Sequence, residues 1–196
     1  MSYIKAFDVQ LFFLINGLAG RFPPLDSLMV AIVNDYLMPV GLSLVLLSLW
    51  FEGASPPQRE KHQRGVLAAA LAVGLANLLV ALLNDVYFRP RPFAAYEVNL
   101  LFYRPTDSSF PSNPAAVAFS TALGAWWANR KVGLFLLAAA ALFSLARIYV
   151  GVTYPMDVVG GVVVAVAAVC LALVILRVTE PVPTWLLRLG RKLYLA

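Results

Sequence analysis

The chain has 196 residues, 61% of them hydrophobic and 13% charged, with mean hydropathy +0.80 and a formal net charge of +5. An apolar share this far above the roughly 45–50% of soluble domains excludes an ordinary soluble globule. One cysteine and one histidine exclude a disulfide framework and a Cys/His metal cluster, and no metal or other cofactor is expected.

In chain order, residues 6–18 (AFDVQLFFLINGL) come first, apolar but shorter than the ~20 residues that cross a bilayer as helix. They lack the charged leader and small-residue cleavage site of a signal peptide. They read as an interfacial or re-entrant helix, with a sixth span as the alternative. Five segments long enough to span follow, at about 26–51, 65–88, 113–129, 132–151 and 156–178, the third short and alanine-rich. The expected fold is all-α, a polytopic membrane helical bundle of about five to six transmembrane helices. It divides into an N-terminal segment (1–25), a transmembrane domain (26–178) and a basic amphipathic tail (179–196). In that tail Trp185, Leu186, Leu189 and Leu193 share one helical face, with Arg188, Arg191 and Lys192 opposite. The pattern suits a helix lying on an anionic leaflet, and equally a juxtamembrane anchor. Cys170, inside an apolar run, reads as a packed core residue.

Loop charges set an orientation. Arg59, Lys61 and Arg64 in loop 52–64, the Arg130-Lys131 turn, and Arg177, Arg188, Arg191 and Lys192 share one face. The positive-inside rule makes it cytoplasmic, as in a bacterial inner or plasma membrane. The one histidine, His62, falls in this cytoplasmic loop and reads as a solvated residue. The basic residues are not interleaved with a stacking surface, so nucleic acid is not an expected partner.

The opposite face collects Asp85, Arg89 and Arg91, then Arg104 and Asp107, then the stretch SFPSNPAAV at 109–117, then Arg147 and Asp157. Ionisable residues at membrane depth mark a site or an internal pair. The structural reading is an Arg147–Asp157 or Arg91–Asp85 pair stapling helix ends. The functional reading is an extracytoplasmic anion pocket, with Arg91 and Arg147 as forked donors and free N–H groups at a helix start over 112–114. Ser112 or Asn113 caps that helix, and Pro114 suits its first turn.

Other features are structural on their face. Asn34 and Asp35 interrupt the first span and satisfy neighbouring helices. Asn77 and Asn84, a heptad apart, read as interhelical hydrogen-bonding groups, Asn84 with the option of facing the pocket. Trp126 and Trp127 suit an interfacial belt, and Gly160-Gly161 close packing. Leu100–Tyr103 either dips into the outer leaflet or packs as an ordinary loop.

These residues resemble the type 2 phosphatidic acid phosphatase superfamily of membrane lipid phosphatases, which shares its core with vanadium haloperoxidases. Its motifs are Lys, six residues, Arg-Pro; Pro-Ser-Gly-His; and Ser-Arg, five residues, His, three residues, Asp. Here Arg91-Pro92 closes the first motif, with Asn84 at the lysine position. PSNP keeps Pro111 and Ser112 but has Asn113-Pro114 for Gly-His. ARIYVGVTYPMD keeps Arg147 and Asp157, with Thr153 at the histidine position. The resemblance covers about 26–178 and implies a phosphohistidine nucleophile at 153, a general acid at 114, an orienting carboxylate at Asp157, and phosphate-stabilising groups at 84, 91, 112 and 147. Arg89 and Asn113 join Arg91, Ser112, Arg147 and Asn84 as expected phosphate ligands. Proline has no proton to give, and a threonine nucleophile needs a base, for which Asp157 is the candidate. Three functions are therefore carried forward. The first is a non-catalytic binding or transport protein for a phospholipid or polyprenyl phosphate such as undecaprenyl phosphate, a pseudoenzyme. The second is an accessory subunit of a membrane-protein complex, or a homodimer. The third is an active lipid phosphate or diphosphate phosphatase with an unconventional nucleophile.

Overall fold

The computed structural model describes residues 2–192, with side chains described for residues 3–189. The helices are α1 (Ser2–Asn16), α2 (Pro23–Val33), α3 (Leu37–Phe51), α4 (Pro56–Val86), the single turn α5 (Pro92–Ala95), α6 (Asn113–Ala128), α7 (Arg130–Tyr149), α8 (Pro155–Val178) and α9 (Val182–Lys192). No strand occurs among the described residues, as the all-α expectation requires.

Proline and polar residues set the boundaries. Proline sits in the first turn of α2, α4, α5, α6 and α8, where its missing N–H costs nothing. Arg89-Pro90-Arg91-Pro92 lies just beyond α4, and residues that precede proline are pushed out of the helical region. Asn129 caps α7, its Oδ1 accepting from the N–H groups of Lys131 (3.1 Å) and Val132 (3.3 Å). Gly151, at φ +88°, turns the chain out of α7 in the left-handed region that favours glycine.

The expected first span is not continuous. Helices α2 and α3 meet at 55°. Asn34 supplies the physical reason: its Oδ1 accepts from the N–H groups of Tyr36 (2.9 Å) and Leu37 (3.2 Å), so a new helix starts on a new axis. By length and composition α4, α7 and α8 can each cross a membrane, and the bent α2–α3 pair makes a fourth candidate. Helix α6, with 16 residues, is shorter and packs against α4, α7 and α8.

The core is built from small residues. Ala72 and Ala76 of α4, Ala116 of α6 and Ala168 and Ala172 of α8 form one cluster, while Ala118, Ala122 and Ala125 of α6 pack with Leu42, Leu49, Leu136 and Phe143 in another. A Cβ on Gly124 would lie 2.5 Å from the Ala69 Cβ, so α4 and α6 approach as closely as their backbones permit. Lipid offers helices no hydrophobic drive to associate, and close van der Waals packing of small residues replaces it. Large apolar side chains point outward, among them Leu44, Leu47, Leu78, Leu82, Phe135, Val163 and Val174. Cys170 shares this exposed surface of α8 and is not packed in the core as expected.

One end of the bundle gathers the start of α4, the α6–α7 turn, the end of α8, and α9. Arg64 donates to the Glu180 carboxylate and to Thr184 Oγ1 (2.8 Å). Leu187 tucks α9 onto the bundle, leaving Trp185, Leu186 and Leu189 exposed. The expected Leu193 lies outside the described residues. His62 requires a correction. Helix α4 begins at Pro56, nine residues before the expected 65, so His62 is helical and 3% exposed, donating from Nδ1 to the Glu52 carbonyl (3.0 Å). Trp126 and Trp127 are exposed beside the turn. At the other end Leu100, Leu101 and Phe102 pack on the core, so the loop-packing alternative holds for them, while Tyr103 stays exposed.

Candidate functional site

The end opposite Arg64 brings together the close of α4, the 87–112 connection, and the starts of α6 and α8. Gly161 makes the α6–α8 approach: a Cβ there would sit 2.6 Å from the Ser112 carbonyl oxygen. Gly160 likewise lies under the Phe110 ring, its Cβ position 2.5 Å from that ring. The expected close packing at this glycine pair is present. Within this frame the residues expected from the sequence separate into three groups.

The first is a buried ion-pair knot. Arg89 donates to Asp157 Oδ1 (2.5 Å) and to Asp8 Oδ2 (2.6 Å), and its guanidinium lies 4.1 Å from the Tyr154 ring centroid. The other Asp157 oxygen accepts from the Ser109 hydroxyl and from the Tyr154 N–H (3.2 Å). Asp8 Oδ1 accepts from the Met156 N–H (2.9 Å), so α1 caps the start of α8. Asp157 and Asp8 are 0% and 2% exposed. Burial opposes the Arg89 charge, but the attraction of Asp157 and Asp8 prevails and raises its pKa.

The second group is Arg91. Its guanidinium donates to the carbonyl of Val152 (2.7 Å), the carbonyl of Asp107 (3.0 Å) and the carboxylate of Asp107 (2.9 Å). With Ser109 N–H bound to the Arg89 carbonyl (2.9 Å), these bonds fasten the 107–110 loop to the 89–92 segment. Neither expected staple forms: Arg91 pairs with Asp107 rather than Asp85, and Asp157 with Arg89 rather than Arg147.

The third group is a cavity of about 460 Å³ lined by Asp35, Ser43, Asn113, Pro114, Thr121 and Arg147 above an apolar floor that includes Leu42, Leu46, Val117 and Phe143. Arg147 is 3% exposed, its Cζ lies 5.8 Å from the Phe143 ring centroid, and its Nε has no hydrogen-bond partner among the described residues. Among those residues six buried side-chain polar atoms are unpartnered, and four belong to expected phosphate ligands: Asn84 Oδ1, Ser112 Oγ, Asn113 Oδ1 and Arg147 Nε. Each such atom costs about 1–3 kcal/mol unless something outside the chain satisfies it. Of these four residues, Asn113 and Arg147 line the cavity, and Asn84 and Ser112 do not.

The start of α6 offers less than expected. Ser112 N–H is already donated to the Asp157 carbonyl (2.9 Å), and Pro114 has no N–H, which removes two of the three donors at 112–114. Ser112 is the N-cap by backbone position, yet its hydroxyl makes no capping bond. Asn77 does bond between helices as expected, accepting from Asn113 Nδ2 (3.1 Å). Pro114 lines the cavity, whereas Thr153, 1% exposed, lies outside the lining. The expected base for Thr153 is spoken for, since both oxygens of Asp157 accept from Arg89, Ser109 and Tyr154.

Sequence reasoning misses Asp8, Ser109 and the cavity role of Asp35. Asp8 carries a signal, an acid inside the apolar run AFDVQLFF. Asp35 reads as an interruption of the span, and its place in the cavity follows from the bend at Asn34. Tyr103 lies beside it: desolvation first, then the Asp35 carboxylate, push the phenol above its ordinary pKa.

Residues 65–180 match the PAP2 superfamily. The chain is 38% identical to undecaprenyl-diphosphatase BcrC of Bacillus subtilis over 160 residues, 81% of this chain and 79% of that one. It is 29% identical to the putative undecaprenyl-diphosphatase YbjG of Escherichia coli over 81% of this chain and 77% of that one. Among solved structures, Aquifex aeolicus LpxE superposes with a TM-score of 0.65 at 30% identity, covering 84% of this chain and 93% of LpxE. The PAP2-type phosphatidylglycerolphosphate phosphatase of Bacillus subtilis shares the fold, with a TM-score of 0.65 at 19% identity over 93% and 90% of the two chains. Apolar helices and membrane-protein relatives together make this an integral membrane protein. The chain belongs to the PAP2 superfamily, and the relatives it matches include proteins named as lipid phosphatases.

Proposed function

We propose that this chain binds the phosphate headgroup of a membrane lipid without hydrolysing it. One observation carries the reading: a guanidinium, Arg147, is buried at the wall of a cavity with an unpartnered Nε, and the cavity floor is apolar. A phosphate oxygen would satisfy the guanidinium, and a hydrocarbon chain would lie along Leu42, Leu46 and Val117. Ser112 and Asn84, the other expected ligands with orphaned oxygens, lie outside the cavity lining and carry no part of this reading. Arg89 and Arg91 hold the site's frame through Asp157, Asp8 and Asp107 and reach the phosphate only indirectly.

The absence of turnover rests on the residues at two positions. Pro114 has no proton to donate to a leaving group, and Thr153 has no free carboxylate base in Asp157. A second reading, lipid diphosphate hydrolysis by an unconventional nucleophile, is favoured by the activities for which BcrC and YbjG are named. Those relatives also make a polyprenyl phosphate or diphosphate, beside a phospholipid, the lipid class to try first. The positive-inside rule puts the cavity on the extracytoplasmic side and α9 on the cytoplasmic leaflet. Binding of a labelled lipid phosphate to the purified protein tests the proposal. Arg147→Gln should abolish saturable binding, and unchanged affinity in that variant refutes it.

A further inference from the structure

The cavity beside Arg147 contains more acceptors than an anion site needs. Asp35 contributes a carboxylate from the α2–α3 break, on a different element from Arg147. Among the described residues no carboxylate lies within ion-pair distance of Arg147, so the two opposite charges share one cavity without closing on each other. The remaining polar lining also accepts. Ser43 and Thr121 have given their hydroxyl protons to the carbonyls of Pro39 (2.7 Å) and Val117 (3.0 Å), leaving only lone pairs toward the cavity.

Asn113 is oriented by a chain of bonds that starts at a pure acceptor. The Val73 carbonyl accepts from Asn77 Nδ2 (2.9 Å), so Asn77 presents its oxygen, which accepts from Asn113 Nδ2 (3.1 Å). The Asn113 amide therefore turns its unpartnered Oδ1 away from that chain. The Asn113 oxygen is covered, so the polar lining sets one cationic donor, Arg147, against a carboxylate and two spent hydroxyls. A bare phosphate suits only the first of these and is repelled by Asp35.

Resting on the headgroup-binding reading above, we infer that the cavity takes a phosphoester bearing a cationic amine, with the phosphate on Arg147 and the ammonium on Asp35. An ammonium supplies donors in three directions, which the acceptor-rich wall can use, and a two-carbon link such as that of an aminoethyl phosphate joins the charges. The apolar floor assigns the ester to a lipid headgroup, and a soluble aminoalkyl phosphate offers the same chemistry.

The test is equilibrium binding to the purified full chain of dioctanoyl phosphatidylethanolamine and of its N-acetylated counterpart, which keeps the phosphodiester and loses the cation. The amine lipid should bind about tenfold tighter, the worth of one charge-assisted hydrogen bond pair. Asp35→Asn should bring the ratio to about one, while Asp35→Glu, which retains the charge, should preserve the preference. Equal binding of the two lipids by the wild type, or a preference that survives Asp35→Asn, overturns the inference. Dioctanoyl phosphatidic acid separates the two levels. If it binds in an Arg147-dependent way while the amine confers nothing, the amine site falls and the headgroup reading stands. If none of the three lipids binds, the headgroup reading falls, and the amine site falls with it unless the soluble ester binds. Free phosphoethanolamine against inorganic phosphate is the last arm: an Asp35-dependent preference there without lipid binding keeps the amine site and transfers it to a soluble ester.

Discussion

Replacing Arg89 with leucine isolates the interaction on which the site's frame depends. The guanidinium bonds two carboxylates at 2.5 and 2.6 Å, one on Asp157 at 0% exposure and one on Asp8 at 2%. Removing one partner of a buried pair leaves uncompensated charge and costs about 3–5 kcal/mol. Both carboxylates keep other donors, Ser109 and Tyr154 for Asp157 and Met156 for Asp8, so the loss should fall within that range and not at twice it. At about 2–4 °C per kcal/mol for a chain of this size, Arg89→Leu should melt roughly 6–20 °C below wild type in the same detergent. Adding Asp8→Asn and Asp157→Asn should restore much of that loss, because neutral amides no longer need a cation. Thermal unfolding followed by circular dichroism on the single and triple variants reads both effects. A single variant within about 0.5 kcal/mol of wild type, a level typical of surface changes, refutes the knot as a structural element.

Three further outcomes follow from the same geometry. Gly161→Leu drives side-chain atoms into the Ser112 carbonyl oxygen, which would lie only 2.6 Å from a Cβ at that position. It should cost about 1–3 kcal/mol and weaken lipid-phosphate binding, as thermal unfolding and the binding assay would register. Asn129→Ala removes both capping bonds of α7 and should cost about 1 kcal/mol by the same unfolding measurement. Arg64, chiefly through its hydrogen bond, holds the Glu180 carboxyl below its ordinary pKa. A depressed carboxyl stabilises the folded arrangement above its unfolded pKa, about 4.3, and that contribution disappears as pH falls through the lower folded value. Hydrogen exchange in α9 should therefore accelerate below about pH 4 in the wild type, and Glu180→Gln should show fast exchange without that pH step.

What the sequence discloses is local. Pro111, Ser112, Arg147 and Asp157 are legible because their spacing lies within single segments, and the structure keeps them at one end of the bundle. The small-residue packing of α4, α6 and α8 is legible in their alanine content and in Gly160-Gly161. What stays hidden is pairing across the chain. Arg89 finds Asp157 68 residues away and Asp8 81 residues away, and no periodicity encodes either choice. Arg147 and Asp157 read as one pocket or one staple, yet Arg89 takes the carboxylate and leaves the other arginine to the cavity. Asp35 is visible as a polar interruption, but its place in the cavity depends on the 55° bend that Asn34 sets. His62 misleads because a stretch rich in charge, QREKHQRG, reads as loop while Pro56-Pro57 starts a helix ahead of it.

Inorganic phosphate release from phosphatidic acid and from undecaprenyl diphosphate by the purified wild-type chain tests the central claim most directly. The account predicts no release above the protein-free control, under conditions where lipid phosphate is bound and where a Pro114→His/Thr153→His variant is compared in parallel. Release by the wild type that disappears in Thr153→Ala would contradict it and assign the nucleophile's role to a threonine.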